Sequence, residues 1–160
     1  MNTELFDQKI KNIKQLFEEL SKASCVKPSE YIYQKISDKI SGIYVFSECF
    51  DGKEDCYYVG QSNSIFDRLR EHCATRTVEK ANFAYKMTVD LTNLKPIPGS
   101  PNSTKMSMFY LSEFQGKFDE VISRIKEMDY RWIEVGDKLE KNLLEIYASV
   151  VLESKYNDFK

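Results

Sequence analysis

Glu145 is the only ionisable carboxylate in the run Leu143-Leu144-Glu145-Ile146-Tyr147-Ala148-Ser149-Val150-Val151-Leu152. A helix this apolar packs into a core, and a carboxylate carried with it needs a partner, because an unpaired buried charge is costly. At helical spacing its same-face neighbours are Lys141, Asn142, Ala148 and Ser149. Two readings stand: a carboxylate that holds a metal ion, and a solvated one paired with Lys141 one turn earlier. Arg68 and His72 are four residues apart, so a helix puts them on one face, beside the stripe of Ile65 and Leu69. Arginine can bridge phosphate oxygens and hold charge in a transition state. A histidine one turn away can transfer a proton or contact phosphate. Against that stands a plain solvated pair on a surface helix. Tyr44 and Tyr58 lie in the short runs Gly42-Ile43-Tyr44-Val45-Phe46 and Cys56-Tyr57-Tyr58-Val59-Gly60. Tyrosines in strands are commonly half-buried packing, so these two alone indicate nothing.

The elements that must position these groups follow from periodicity and punctuation. Leu5 to about Ala23 reads as a helix, with Ile10, Ile13, Phe17 and Leu20 at helical spacing. Pro28-Ser29-Glu30 interrupts it, and Tyr31 to Ile40 is expected to form a second short helix. Ser41–Phe46 and Cys56–Gly60 are strands by their β-branched and aromatic content, joined through the polar turn Asp51–Asp55. Gly60 ends the second strand, and Ser62 or Asn63 caps a helix over Ser64–Ala74. Lys80–Met87 adds a helical turn. Leu91–Thr104, with three prolines, is a loop. Met106–Leu111 reads as a strand, Phe118–Met128 as a helix and Arg131–Val135 as a strand. Asp137 starts the last helix, with Glu140 as its capping-box partner, and that helix runs to about Glu153. The fold expected is α/β of the α+β kind, a small central antiparallel sheet of three or more strands flanked by helices. Residues 1–40 form an N-terminal helical extension to a domain at 41–160.

The 160 residues suffice for one domain with one proper core. Apolar residues at 42% and charged residues at 30% are ordinary for a soluble protein. A net charge of −2 argues against a coat protein that binds nucleic acid indiscriminately, since such proteins are basic. A local exception lies between Asp67 and Lys86, where Arg68, Arg70, Arg76, Lys80 and Lys86 outnumber Asp67, Glu71 and Glu79. Cys25, Cys49, Cys56 and Cys73 form no C-x-x-C pair, and one histidine cannot complete a zinc site of the usual spacing. Cys49 and Cys56 could face each other across the hairpin, but thiols in a reducing cytosol are the simpler reading. The polar start Met1-Asn2-Thr3-Glu4 and the lack of an apolar stretch of about 20 residues imply a soluble, cytoplasmic protein without a membrane span.

The conjunction of these residues resembles the GIY-YIG nucleases. Gly42-Ile43-Tyr44 and Tyr58-Val59-Gly60 stand for the two tripeptides of the family. Arg68 follows Tyr58 by ten residues, His72 follows Arg68 by four, and Asn157 follows Glu145 by twelve, each the family's spacing. The ending Leu144-Glu145 … Lys155-Tyr156-Asn157 looks like the nuclease module of bacterial excision repair. There are two departures. Thirteen residues separate Tyr44 from Tyr58, a few more than usual, and Gln61 stands where some members carry lysine. The resemblance implies metal-dependent hydrolysis of DNA phosphodiesters. In that scheme Glu145 binds one Mg²⁺ or Mn²⁺, and Tyr44 orients or deprotonates the attacking water. Tyr58 aligns water and phosphate, Arg68 stabilises the pentacovalent phosphate, His72 contacts phosphate or shuttles a proton, and Asn157 holds the site together. DNA is the implied partner, with a homodimer or partner protein supplying specificity. The rival is a weak or inactive module that keeps the fold and binds nucleic acid or scaffolds. A restriction-type dimer that reads bases with inserted loops is a third reading.

Overall fold

Asp51 and Gly52 reverse the chain between β1 (Gly42–Phe50) and β2 (Lys53–Ser62). Their φ angles are 51° and 78°. Left-handed backbone at both central positions matches the twist of a two-residue hairpin, and Asp-Gly tolerates it. The turn is therefore shorter than the Asp51–Asp55 expected, and Lys53, Glu54 and Asp55 belong to the strand. β2 also runs past Gly60 to Ser62. Cys49 lies opposite Glu54 and Cys56 opposite Ser47, so the two thiols do not face each other. The computed structural model describes residues 3–34, 39–74, 80–99, 101 and 104–159.

β3 (Asp129–Glu134) pairs with the other edge of β1, giving a three-stranded antiparallel sheet in the order β2-β1-β3. The central strand is buried on both faces, Ile43 and Val45 on one and Tyr44 and Phe46 on the other. Each such side chain contributes roughly 1.5–3 kcal/mol on burial. Two helical layers supply that burial. α1 (Thr3–Lys22) and α7 (Lys138–Val151) cover the face of Ile43, Val45 and Val59, burying Ile13, Leu20, Leu144 and Ala148 against it. α3 (Ile65–Ala74), α4 (Asn82–Thr92) and α6 (Ser112–Lys126) cover the face of Tyr44, Phe46 and Tyr130. The N-terminal helix is fastened to α7 as well, since Lys9 Nζ lies 2.9 Å from Glu140 and 3.2 Å from Asp137. Asp137 caps α7 as expected, its side chain accepting from the Glu140 N–H at 2.8 Å.

Beyond shifted bounds, with α4 running on to Thr92 and α6 starting at Ser112 instead of Phe118, two elements differ in kind or place from expectation. The second helix, α2, is Pro28–Tyr31, because proline is accommodated in a first turn; of the expected Tyr31–Ile40 helix, residues 35–38 lie outside the described residues. Met106–Leu111 is not a strand. It carries α5 (Lys105–Phe109), fixed by reciprocal bonds in which Thr104 Oγ1 accepts from Ser107 N–H and Ser107 Oγ accepts from Thr104 N–H. That capping box outweighs the strand-like composition.

A bulge falls between Phe46 and Ser47, which pair with Tyr58 and Cys56 and leave Tyr57 as the extra residue. Tyr58 is thereby opposite Phe46, on the same face as Tyr44. The outer edge of β2 is covered by the C-terminal segment: Lys155 N–H donates to the Cys56 carbonyl at 3.2 Å and Tyr156 N–H to that of Tyr57 at 3.0 Å. Among the described residues no helix is long and apolar enough to cross a membrane.

Candidate active site

Tyr44 and Gly60 are direct partners across β1 and β2. The Tyr44 ring lies over Gly60 so closely that a Cβ there would overlap the phenol end and sit 2.9 Å from Cε2. The glycine of the second tripeptide thus makes room for the tyrosine of the first. Tyr44 Oη shares a 2.9 Å hydrogen bond with His72 Nε2. His72 in turn meets the Tyr58 ring edge-on at 5.4 Å, and Tyr58 stacks on Phe83 at 5.0 Å and 13°. Four of the six expected residues therefore converge, because Arg68 is near enough to pull on both phenols.

Burial decides the protonation of this group. It pushes the Tyr44 phenol well above its ordinary range and wins over the opposing pull of Arg68. Tyr58 is raised for the same reason. His72 is 0% exposed, and burial, with the nearby Arg68 charge, pushes it well below the usual imidazole value. At neutral pH the pair is a phenol and a neutral imidazole. His72 has no surface with which to meet phosphate, so it reaches the site only through Tyr44. Its Nδ1 is buried and has no hydrogen-bond partner among the described residues.

This carries a pH consequence. A histidine whose folded pKa lies below the unfolded value of about 6.5 stabilises fully above that pH. The contribution is lost as pH falls, because the unfolded chain takes up the proton first. Thermal melts should show Tm falling from about pH 7 to about pH 5, and falling less steeply in His72→Gln, since the chain has one histidine. Parallel curves for the two proteins would refute this.

Arg68 is half-buried and held in place: it donates to Glu71 Oε2 at 2.7 Å and to the Lys80 carbonyl at 2.9 Å. Arg70 is engaged by Asp67 at 2.8 Å and by the Gln34 carbonyl at 2.7 Å. Arg76 lies outside the described residues.

Glu145 approaches from the other helical layer. It is half-buried on α7, and Gln61 Nε2 donates to its Oε2 at 2.8 Å and to Asn142 Oδ1 at 2.7 Å. Burial raises its carboxyl above the usual range; the Gln61 bond opposes that. The alternative pairing with Lys141 does not occur. Lys141, 4% exposed, donates instead to Ser41 Oγ at 2.8 Å and to Asn63 Oδ1, tying α7 to the start of β1 and to the β2–α3 junction. Glu145 is near enough to Tyr44 and Tyr58 for its charge to oppose their ionisation.

Asn157 acts as a peptide mimic on the outer edge of β2. Its Oδ1 accepts from Val59 N–H at 2.9 Å and its Nδ2 donates to the Val59 carbonyl at 2.8 Å, with Ser154 Oγ adding a 2.6 Å bond. It clamps the strand between Tyr58 and Gly60. Replacing it by alanine leaves two backbone groups unpaired, at about 1–3 kcal/mol. Asn157→Ala is expected to lower Tm measurably, and an unchanged melt would argue against the clamp.

Two participants were not foreseen in these roles. Gln61 shares the α7 side of β2 with Val59 by strand alternation, a signal the sequence does carry. Phe83 backs Tyr58 from α4, and no local pattern announces it. Among the described residues no group of three or more His, Cys, Asp and Glu side chains could hold a metal. What is present is a single half-desolvated carboxylate without a basic partner, a donor that suits a hard cation completed by substrate oxygens and water. No protein-family model, curated protein or solved structure matches the chain.

Proposed function

We propose that the chain is a metal-dependent endonuclease that hydrolyses DNA phosphodiesters in the GIY-YIG manner. The observation that carries the reading is the convergence of Tyr44, Tyr58, Arg68 and His72 where the Tyr44 ring packs over Gly60, with Glu145 tied to the next residue, Gln61. Glu145 would hold one Mg²⁺ or Mn²⁺, whose charge stabilises the leaving oxygen. Arg68 holds charge on the phosphate, and must exchange its bond to Glu71 for one to substrate. Tyr44, kept protonated by burial, orients the attacking water through its hydroxyl, and His72 fixes the direction of that hydroxyl. Tyr58 lines the same space, while Asn157 keeps β2 in register. The C-terminal clamp and the buried cluster are preorganisation: groups set in place before substrate arrives.

One observation favours the inactive binding module instead. The Tyr44 phenol is almost wholly buried and far from ionising, which makes a poor general base. Cleavage of supercoiled plasmid and of branched or flapped DNA, with Mg²⁺, Mn²⁺ or EDTA, separates the readings. Metal-dependent cutting supports the nuclease, and a folded protein that cuts nothing in either metal supports the module. A cytoplasmic setting accords with four free thiols, two of them buried.

Glu71 gives a further check. Its carboxylate occupies the guanidinium that phosphate would need, at 2.7 Å. Glu71→Gln is expected to tighten DNA binding about threefold, the scale of a half-exposed ion pair. Titration of labelled DNA in EDTA reads the change, and weaker binding would show that Arg68 needs Glu71 for its placement.

A further inference from the structure

A cleft of about 710 Å³ opens beside the site and shares Asn157 with it. One wall is a single face of α4, carrying Tyr85, Lys86, Val89 and Asp90. The loop after α4 supplies Lys95, and the C-terminal segment supplies Lys155 and Tyr156. A chain of rings links it to the site: Tyr156 lies 5.8 Å from Phe83, and Phe83 stacks on Tyr58. The outer edge of β2, where Asn157 clamps Val59 beside Gly60, therefore borders this cleft.

We propose that the cleft is the binding groove for a single-stranded arm of the DNA substrate. The inference rests on the nuclease reading for the identity of its ligand. Its chemistry is that of a single-strand groove, which combines cations that follow the backbone with aromatic rings against which bases pack. Three lysines line the cleft against two acids; the Lys86–Asp158 pair cancels, which leaves Lys95 and Lys155 against the charge of Asp90. Asp158 is paired with Lys86 at 2.6 Å, and Asp90 accepts from Tyr156 Oη at 2.9 Å. Lys95 and Lys155 are exposed, and the Lys155 ammonium lies 4.5 Å above the Tyr57 ring, near enough to Glu48 for the two charges to be felt but forming no ion pair with it. A duplex would leave the half-buried Tyr156 ring idle, because its bases are stacked inside; Tyr85, packed on Phe114 and under Lys105, is itself buried. An unpaired strand uses both the cations and the Tyr156 ring. The groove therefore assigns a substrate class, DNA with a single-stranded arm at the point of cleavage.

The test is fluorescence anisotropy of labelled oligothymidylate and of a hairpin duplex with the full chain in EDTA. Wild type is compared with Lys95→Glu/Lys155→Glu and with Lys11→Glu, an exposed lysine on α1. Oligothymidylate is expected to bind tighter than the duplex. The double variant should weaken it about tenfold, and its log–log salt slope should fall by about 1.4, two phosphate contacts' worth for a single strand. Lys11→Glu should change either by less than about twofold, the residue of long-range charge. Equal losses in both variants, or duplex binding as tight and equally sensitive, overturns the groove. Cleavage in Mg²⁺ separates this proposal from the one beneath it. Cutting whose KM on flapped DNA ignores the double variant sinks the groove and leaves the nuclease standing. Binding lost only in the double variant, with no cutting in any metal, supports the groove and sinks the nuclease.

Discussion

Glu145→Ala is expected to reduce cleavage by about three powers of ten, about 4 kcal/mol of lost stabilisation of the transition state. The fold should hold. Among the described residues Glu145 has no cationic partner to strand, and burial already disfavours its charge. Its one side-chain bond comes from Gln61, whose amide keeps Asn142 as an acceptor. Tm is therefore expected to stay within a few degrees of wild type or to rise. Glu145→Gln is the sharper variant, since it keeps volume and hydrogen bonding but removes the charge that a cation needs. Arg68→Ala should cost about 10²–10³ in kcat, as for removal of a preorganised donor. It should also free Glu71, so Arg68→Ala/Glu71→Gln is the fair comparison for binding. Wild-type cutting by purified Glu145→Gln in Mg²⁺ would end the single-carboxylate assignment. A collapse of the melt in step with activity would instead make Glu145 a structural residue.

Much of this arrangement was legible along the chain, and the reasons are local. Gly42–Phe46 and Cys56–Gly60 announce strands by side-chain type, and Asp137 with Glu140 announces the start of α7. The matched spacings brought Tyr44, Tyr58, Arg68 and His72 to one cluster, because a hairpin followed directly by a helix leaves little freedom in between. What stayed hidden is non-local or turns on a competition. Helical spacing puts Arg68 and His72 on one face, yet only packing makes His72 wholly buried and leaves Arg68 half-exposed. Gln61 and Glu145 meet across 84 positions. Lys141 had two acceptable fates, and the neutral oxygens of Ser41 and Asn63 took it from Glu145. Met106–Leu111 suits a strand by composition, and the decision for α5 rests with two side chains at Thr104 and Ser107.

The same hairpin yields the largest expected loss of stability. Gly42→Ala places a Cβ into the Ile133 carbonyl, overlapping its oxygen, 3.0 Å from its carbon and 3.1 Å from Glu134 Cα. These are backbone atoms of the paired strand, so nothing can swing aside. Relief requires β3 to move away from β1, which breaks the Gly42↔Glu134 pairing at the end of the ladder. The cost should be about 3 kcal/mol, the upper end of ordinary overpacking, or a fall in Tm of roughly 6–12 °C for a chain of this size. Gly60→Ala meets the end of the Tyr44 ring instead, a side chain that can tilt. It should cost less stability, yet the tilt breaks the bond to His72, so activity should fall far more than Tm does. Gly116, in α6 with nothing near its would-be Cβ, is the control. Alanine there should stabilise by about 0.5–1 kcal/mol through helix propensity alone. The order of the three melts, Gly116→Ala highest and Gly42→Ala lowest, depends only on what each Cβ meets. A Gly42→Ala protein that melts with wild type would mean that β3 does not approach β1 as closely as this, and the placement of the whole sheet against α7 and Glu145 would have to be redrawn.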